Sequence, residues 1–145
     1  MEYKNPAPTS NIIIINEKDE ICLVKRNIEP HKGRVAIPGG FVDYDETVEE
    51  AAIRESKEET GLDVELVSIL GVYSEPNRNP SKHTISTVFI AKALTKELDG
   101  DDEGIPFWES IENIKNTDLA FDHNKMFTDF LQWREDNKHT FWSRK

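Results

Sequence analysis

The chain has 145 residues and a formal net charge of −10 at pH 7, so it has the usual size of one domain, which we expect to span residues 1–145. An acidic surface repels phosphate backbones and anionic lipids, which counts against nucleic-acid and membrane partners, although bound divalent cations can invert the field for a small phosphorylated substrate. The single cysteine, Cys22, excludes an intrachain disulfide and a thiolate zinc cluster, and the lack of a signal peptide or of an apolar run of roughly 20 residues predicts a cytoplasmic protein.

The N-terminal part of the sequence predicts a hairpin and a short strand. The isoleucine run 12–15 is typical of a strand covered on both faces, and residues 21–25, beyond a polar turn, predict its hairpin partner. Cys22 lies in this second strand, where we expect a buried, unreactive thiol. Residues 35–37 predict a further strand, which we expect to end at the Pro-Gly-Gly sequence 38–40.

A helix is predicted after these glycines, starting near Thr47. Thr47 or Asp45 can cap its first turn, where acidic residues are favoured by the helix dipole. Gly61 is the residue type that commonly closes a helix in the left-handed conformation. The helix is therefore expected to end just before Gly61.

The remaining sequence predicts three strands and a second helix. Two longer strands, at 64–73 and 84–93, flank a polar loop with two prolines, and a short strand at 105–108 follows an acidic loop. The last helix, at about 123–136, has one side with the spacing of a core-facing surface, formed by Met126, Phe127, Phe130 and Leu131. Strands mixed with two helices predict an α/β sandwich.

The first predicted helix combines an apolar face with acidic residues. At 100° per residue, Val48, Ala51 and Ala52 lie together, and steps of three and four residues continue this face to Glu55, Glu58 and Glu59. Like charges at these spacings destabilise a helix, and partly burying them costs more unless a cation compensates. Oxygen ligands without a thiolate suit a hard cation, Mg²⁺ or Mn²⁺.

The same acids also fit an ordinary solvated helix. Glutamate is a good helix former, and Glu50 and Glu58 would then form surface pairs with Arg54, each worth a few tenths of a kcal/mol. The periodicity alone leaves both interpretations open.

Residues 40–62 resemble the signature of the Nudix hydrolases. That signature is Gly, five residues, Glu, seven residues, Arg-Glu, an aliphatic residue, any residue, Glu-Glu, any residue, Gly and an aliphatic residue. The fixed positions are matched with the correct spacing by Gly40, Glu46, Arg54, Glu55, Glu58, Glu59, Gly61 and Leu62. Three positions depart from the usual pattern, namely Ser56 for an aliphatic residue, Asp45 for glycine and Val35 for tryptophan. None removes a charged group, so we expect altered packing rather than lost activity.

The resemblance implies a fold and a metal site. The fold is a Nudix-type α/β/α sandwich with a mixed β-sheet and a catalytic loop-helix-loop at residues 40–62. The implied cofactor is Mg²⁺ or Mn²⁺, held by helix carboxylates and one backbone carbonyl, those of Glu55, Glu58, Glu59 and Gly39. In this family Arg54 is expected to orient the neighbouring carboxylates, and Glu46 to share that role or to contact the outer ligands of the metal.

Family members commonly draw one more carboxylate from a distant loop. The acidic segment 101–104 resembles that region, and Glu103 is the candidate for a metal ligand and catalytic residue, with a solvated acidic loop as the alternative. In the implied mechanism a bound cation lowers the pKa of a water, and a carboxylate takes its proton as the water attacks phosphorus. The base stays open among Glu58, Glu59 and Glu103.

The loop at 74–83 resembles the ADP-ribose pyrophosphatase branch of the family. Pro76 stands where these relatives often carry a proline, and residues 76–83 are similar to their Pro-X-Arg-Asp-Pro-Arg-Gly-His pattern. Asn79 replaces the aspartate, and Ser81-Lys82 replaces the Arg-Gly pair. Residues 119–123 also resemble that branch. We therefore expect a small nucleotide substrate, ADP-ribose or a close nucleoside diphosphate sugar, cleaved to AMP and a sugar phosphate such as ribose 5-phosphate.

Four residues are candidates for contacts with the substrate, namely Arg26, Pro76, Arg78 and Lys82. Arg26 ends a strand beside the implied site and is a candidate for binding a phosphate. Arg78 and the neighbouring Lys82 are candidates for binding a phosphate or a ribose, and ordinary solvated charges are the alternative for all three basic residues. Single histidines without a metal-binding pattern, His83 and His123, are expected to be structural.

Other functions and assemblies stay open at this point. Some Nudix relatives release pyrophosphate from nucleoside triphosphates, so the products separate the two activities. A non-catalytic module that senses a nucleotide is a third function, but such modules often lose signature carboxylates and carry a DNA-binding domain, and we expect neither here. ADP-ribose-cleaving relatives are frequently homodimers and others are monomers, so the resemblance leaves a homodimer open.

Overall fold

A computed structural model describes residues 3–136 and 139–145. Within these residues, eight strands form one mixed sheet and three helices flank it. In chain order the elements are β1 (Ala7–Ile15), β2 (Glu20–Arg26), β3 (Val35–Ala36), β4 (Gly39–Phe41), α1 (Val48–Thr60), β5 (Val64–Tyr73), β6 (Thr84–Ala93), β7 (Gly104–Ser110), α2 (Ile111–Lys115), α3 (His123–Asp136) and β8 (Phe141–Trp142).

Strand β1 organises the sheet, whose main path runs β3-β2-β1-β6-β5-β8. It is parallel to β6 along its whole length, from Ala7 opposite Thr84 to Ile15 opposite Lys92. On its other side it pairs antiparallel with β4 near its start and with β2 at its end, while β7 pairs with β2. The predicted hairpin of β1 and β2 is confirmed.

The isoleucine run of β1 is buried on both faces of the sheet, as its composition predicts. Ile13 packs with Phe127 and Phe130 of α3 on one face. Ile12 and Ile14 pack on the other face with residues that include Ala52 of α1, Leu62 and Cys22. The α/β/α sandwich with a mixed sheet is thus confirmed.

The caps of α1 follow the predicted chemistry. Thr47 is the N-cap, since its hydroxyl accepts a hydrogen bond from the Glu50 N–H at 3.0 Å and the Glu50 carboxylate accepts one from the Thr47 N–H at 3.2 Å. Asp45 lies before the cap with φ 66°. Gly61 closes the helix at φ 78°, where a side chain would be strained.

Three short elements differ from the prediction. Residues 39–41 form strand β4 against β1, whereas the Pro-Gly-Gly sequence was expected only to end a strand. Helix α2, with its N-cap Ser110, and strand β8 were not predicted, because elements of five and two residues carry too little periodicity. In the part of the chain that the structure describes, no helix has the length and apolar character needed to cross a membrane.

Candidate active site

A cavity of about 480 Å³ opens beside the first half of β1. It is bounded by β1, β2, β4, α1, the loop at 74–83, the acidic segment before β7 and the start of α3. The predicted site residues that line it are Arg26, Gly39, Glu55, Glu59, Arg78 and Glu103. The predicted residues that do not line it are Glu46, Arg54, Glu58 and Pro76.

The inward face of α1 carries two of the three predicted acids. Its buried residues are Ala51, Ala52, Glu55, Ser56, Glu59 and Thr60. The Glu58 side chain is 50% exposed, so the prediction that it shares this face is wrong. The buried face of the helix includes Ser56 and Thr60 instead. These two residues flank Glu55 and Glu59 on the side of the helix opposite to Glu58.

Ser56 occupies a position where related sequences carry an aliphatic residue, and it is fully buried. Its hydroxyl donates a hydrogen bond of 2.8 Å to the Ala52 carbonyl one turn earlier. Thr60 makes the same kind of bond to the Ser56 carbonyl. The buried hydroxyls are therefore satisfied within the helix, and the departure from the signature leaves no unpaired polar group at this position.

Glu59 is a buried carboxylate that lacks a charged partner. Its side chain lies against β4, where Oε2 accepts a hydrogen bond of 3.0 Å from the Gly39 N–H. Burial raises its pKa to about 8, and the negative charges of Glu55, Asp101 and Glu103 act in the same direction. In residues 3–136 and 139–145 no lysine or arginine forms an ion pair with it. The site therefore favours a cation next to Glu59.

The carboxylate of Glu55 lies directly on the backbone of Gly40. A Cβ atom at Gly40 would collide with Oε1 of Glu55, so a larger residue there would force this carboxylate to move. Burial raises the pKa of Glu55, and the Arg54 guanidinium opposes that shift. Strand β4 and helix α1 are thus in close contact at the Glu55 carboxylate.

Arg54 joins the acids of the signature into one network outside the cavity. It grips both oxygens of Glu46, at 2.7 Å from Nε and 2.9 Å from Nη2, and this contact lowers the pKa of Glu46 to about 2. Nη1 donates to Glu55 at 2.9 Å and to Glu58 at 3.0 Å, and Nη2 donates to the Phe41 carbonyl at 3.0 Å. One guanidinium thereby fixes the directions of three carboxylates and of strand β4.

The donor set fits a hard divalent cation. Among the residues that the structure describes, no group of three or more His, Cys, Asp or Glu side chains is close enough together to hold a metal ion. Five acidic residues nevertheless line one cavity, namely Glu29, Asp43, Glu55, Glu59 and Glu103, and Glu59 among them is buried without an ion-pair partner among the described residues. Oxygen ligands of this kind are those that Mg²⁺ and Mn²⁺ prefer. The carboxylates of Glu55, Glu59 and Glu103 are oxygen donors of this chemical type in the cavity lining.

Arg26 supplies positive charge to the same cavity. Its Nε donates to the Pro30 carbonyl at 2.7 Å, and its guanidinium lies over the Phe121 ring at 4.9 Å. Its terminal nitrogens have no hydrogen-bond acceptor among the described residues. Burial lowers the pKa of Arg26, but an arginine stays charged. The Arg26 side chain is therefore held in place by Pro30 and Phe121, and its terminal nitrogens are available to bind a ligand.

Arg78 lines the cavity but uses its polar atoms on the protein. Its guanidinium binds both oxygens of Asp122, at 3.0 Å from Nε and 2.8 Å from Nη2, and Nη1 donates to the Thr84 hydroxyl. The side chain is only 4% exposed. Pro76 is exposed on the same loop and lies off the cavity. The ion pair ties this loop to the segment before α3.

The two histidines make structural contacts, as expected. His123 is buried, and its Nδ1 accepts a hydrogen bond of 2.9 Å from the Ile37 N–H. Burial lowers its pKa well below the usual value, so the ring is neutral and carries its proton on Nε2. His83 lies 3.0 Å from the Ser74 carbonyl.

Lys82, a candidate for a phosphate or ribose contact, also lines the cavity, and sequence reasoning missed four further lining residues, namely Thr9, Phe41, Thr84 and Phe121. They come from β1, β4, the loop at 74–83, β6 and the turn before α3. Phe41 follows the glycines directly, which is a signal that could have drawn attention to it. The other residues reach the cavity through strand pairing and tertiary packing.

Comparisons with known proteins identify relatives of this chain. The chain is 48% identical over 134 residues to the ADP-ribose pyrophosphatase of Methanocaldococcus jannaschii. This alignment covers 91% of this chain and 77% of that protein. It is 43% identical over 72 residues to the putative 8-oxo-dGTP diphosphatase of Bacillus subtilis, covering 50% of this chain and 46% of that protein.

A solved structure gives the same result for the fold. The bifunctional NMN adenylyltransferase/ADP ribose pyrophosphatase of Francisella tularensis, complexed with AMP and a manganese ion, superposes with a TM-score of 0.81 at 30% identity. The alignment covers 91% of this chain and 43% of that one. The aligned regions therefore cover less than half of both the Bacillus and the Francisella proteins.

The family model of the NUDIX domain matches residues 5–130, which is most of the chain. Nudix hydrolases use divalent metals, in keeping with the oxygen-only donor set of the cavity. Together with the shared fold and the high identity to a relative over most of its length, this match shows that the chain belongs to the Nudix hydrolase family.

Proposed function

We propose that this chain hydrolyses ADP-ribose to AMP and ribose 5-phosphate with Mg²⁺ as cofactor. The observation that carries the proposal is the joint presence in one cavity of the buried carboxylates Glu55 and Glu59 and of Arg26, whose terminal donors are free. Such a cavity suits a diphosphate that arrives with a divalent cation. The identity of 48% to an enzyme named ADP-ribose pyrophosphatase supports ADP-ribose as the substrate.

Each site residue has a proposed role. Glu55, Glu59 and Glu103 hold the divalent cation, which when bound neutralises the diphosphate and lowers the pKa of a water molecule. Arg54 keeps Glu55 and Glu58 in position and does not touch the substrate, since it lies outside the cavity. Arg26 donates to a phosphate oxygen.

The proton acceptor is proposed to be Glu103. Its carboxylate lines the cavity and has no hydrogen-bond partner among the described residues. Glu59 already accepts from Gly39, and Glu58 is tied to Arg54 outside the cavity. A carboxylate with free lone pairs at the reaction centre is suited to take the proton of the attacking water.

A second candidate is the hydrolysis of nucleoside triphosphates, favoured by the 43% identity over 72 residues to the Bacillus subtilis protein. The same cavity and cation serve that reaction, and only the products differ. A sensor module is the third candidate, and it predicts binding without turnover. All carboxylates of the signature are present, which favours turnover.

The deciding experiment offers the protein ADP-ribose, an ADP-sugar, a dinucleotide and nucleoside triphosphates, each with Mg²⁺, with Mn²⁺ and with a chelator. We expect AMP and ribose 5-phosphate from ADP-ribose in the presence of Mg²⁺, with the highest kcat/KM of the panel. Preferential release of pyrophosphate from a triphosphate would support the second candidate. Tight binding of ADP-ribose without any product would support the sensor.

We also propose that the chain is a cytoplasmic protein and forms a homodimer. Exposed apolar side chains on β5, those of Val67 and Ile69, and Trp142 on the neighbouring β8 offer surface that a second copy could cover. Light scattering at micromolar concentration tests the dimer, and the mass of a single chain would contradict it. Cell fractionation tests the location.

A further inference from the structure

An aromatic ring is exposed at the wall of the cavity. The exposed aromatic side chains among the described residues include Tyr3, Phe41, Tyr44 and Trp142, and of these only Phe41 lines the cavity. Its ring is 48% exposed. A single exposed apolar side chain is common on protein surfaces, so the ring alone shows little. Two residues next to Phe41 in the cavity indicate a ligand at this ring.

The first neighbour is Thr9, which lies directly opposite Phe41 in the antiparallel pairing of β1 with β4. Paired residues of this kind point to the same face of the sheet. Thr9 is nine-tenths buried and lines the cavity, and its hydroxyl is the buried side-chain atom for which the described residues offer no hydrogen-bond partner. Thr9 therefore brings an unused hydrogen-bonding group to the wall of the cavity.

The second neighbour is Lys82, whose ammonium lies over the Phe41 ring at 5.1 Å. No carboxylate forms an ion pair with Lys82 in the part of the chain that the structure describes. Stacking of a nucleobase on an aromatic ring is generally stronger than an exposed cation–π contact of this kind. A base therefore displaces the ammonium, which becomes free to bind a phosphate.

The position of Phe41 relative to the carboxylates suits a nucleotide. Gly39, whose N–H holds Glu59, lies opposite Asn11, and Phe41 lies opposite Thr9. Two strand residues separate the two positions by about 7 Å. That is about the length by which a ribose separates its 5′-phosphate from its base. A diphosphate beside Glu59 thus brings the attached base to Phe41.

We propose that Phe41 is the stacking platform for the nucleobase of the substrate, that the Thr9 hydroxyl binds the attached nucleoside, and that Lys82 moves from the ring to a phosphate when the base arrives. The proposal rests on the proposed hydrolysis of a nucleoside diphosphate and assigns the residues that recognise its nucleoside half. It makes Phe41, Thr9 and Lys82 determinants of specificity for a nucleotide over a sugar phosphate.

The test compares the binding of AMP and of ribose 5-phosphate, each with Mg²⁺, by calorimetry on the full chain. In Phe41→Leu we expect AMP to bind about tenfold more weakly, which lies within the range of base stacking, and ribose 5-phosphate to bind as in the wild type. Phe41→Trp should retain the affinity for AMP. The matched control is Tyr44→Leu, because Tyr44 is a 95% exposed aromatic residue of the same segment that does not line the cavity.

A second variant separates recognition from folding. Thr9→Val keeps the shape of the side chain and removes a hydroxyl that has no partner, so we expect an unchanged or higher unfolding midpoint together with AMP binding about threefold to tenfold weaker. Unchanged AMP affinity in Phe41→Leu would overturn the stacking platform, and unchanged AMP affinity in Thr9→Val would overturn the role of the hydroxyl. Equal losses for AMP and ribose 5-phosphate, or the same loss in Tyr44→Leu, would also overturn the proposal.

Failure of this proposal is distinguishable from failure of the proposed function. If the wild type cleaves ADP-ribose while Phe41→Leu keeps its AMP affinity, the function stands and the stacking platform is refuted. If the wild type cleaves a triphosphate and not ADP-ribose, and Phe41→Leu still loses AMP selectively, the platform is supported and the choice of substrate is refuted. Absence of AMP binding in the wild type refutes the platform.

Discussion

The backbone N–H of Gly39 donates a hydrogen bond of 3.0 Å to Oε2 of Glu59. This bond joins strand β4 to the last turn of α1. The bond fixes the direction of a carboxylate that is otherwise buried without a positive partner. A polar group held in this way, in a cavity that disfavours its charge, indicates a function rather than a contribution to stability.

Glu59→Gln is expected to lower kcat by about 100-fold or more while the protein still folds, because the amide keeps the hydrogen bond to Gly39 but cannot serve as an anionic ligand. In a chelator its free energy of unfolding should equal or exceed that of the wild type, since a buried charge has been removed. Urea unfolding and steady-state kinetics measure both quantities. Glu65→Gln, on the exposed side of β5, is the matched control, and near wild-type turnover in Glu59→Gln would show that the assignment is wrong.

Arg54→Lys should lower kcat by about 10-fold to 100-fold and change KM little. A lysine cannot grip Glu46 with two nitrogens and also reach Glu55, so the carboxylates lose their fixed directions. Arg34→Lys is the control, since Arg34 also binds a carbonyl and an acid but lies off the cavity. A rise in KM with an unchanged kcat would instead indicate that Arg54 binds substrate.

Arg78→Met should cost about 3 kcal/mol of stability, because it leaves Asp122 without its partner. The double variant with Asp122→Asn should cost less than the sum of the two single changes, since the two residues interact directly. Pro76→Ala should change stability by no more than about 0.5 kcal/mol. Urea unfolding gives these values. A tenfold rise in KM for Pro76→Ala would restore the sequence-based prediction that this proline contacts the substrate.

His123 should make the protein less stable as the pH falls below about 6.5. Burial lowers its pKa in the folded state, so below that pH only the unfolded chain takes up the proton, and stability present at higher pH is lost. The loss amounts to about 1.4 kcal/mol at one pH unit below the unfolded value.

His123→Asn isolates this effect, because asparagine can accept the hydrogen bond from Ile37 but does not titrate. Glu59, with its raised pKa, acts in the opposite sense in both proteins and therefore cancels from their difference. Between pH 7.5 and pH 5.5 the wild type should lose about 1.4 kcal/mol relative to the variant in urea unfolding. An unchanged difference would mean that His123 is not buried in its neutral form.

Removing the metal should abolish turnover reversibly. A chelator is expected to stop hydrolysis, and Mg²⁺ or Mn²⁺ to restore it, because the carboxylates that line the cavity repel an anionic substrate on their own. Binding to the folded state alone should also raise the midpoint of thermal unfolding in the wild type and much less in Glu59→Gln. Full activity after exhaustive chelation would contradict the proposed cofactor.

The sequence predicted most of the long elements well and the short ones poorly, but strand β1 was predicted only at 12–15 and runs from Ala7 to Ile15. The strands at 64–73 and 84–93 and the helix at 123–136 have the predicted bounds, because each carries a sustained pattern that one face of the core enforces. Strand β4 was missed because glycines have no side-chain pattern, and it exists only through its pairing with β1.

The candidate site was predictable only in part. The signature located Glu55 and Glu59, since the helical period places them with the buried alanines. It placed Glu58 on the inward face as well, because steps of three and four residues do not decide on which side of the stripe the packing lies. Phe41, Thr9 and Lys82 come together through strand register and loop packing, which a single sequence does not encode locally.

The parallel pairing of β1 with β6 affects how the site forms during folding. Ala7 lies opposite Thr84 and Ile15 opposite Lys92, so the strand that carries Thr9 finds its partner only after most of the chain has been synthesised. Contacts between residues so distant in sequence have a high loop-closure cost and slow the folding of a domain. A nascent chain that ends before β6 therefore contains the complete signature and still lacks the cavity.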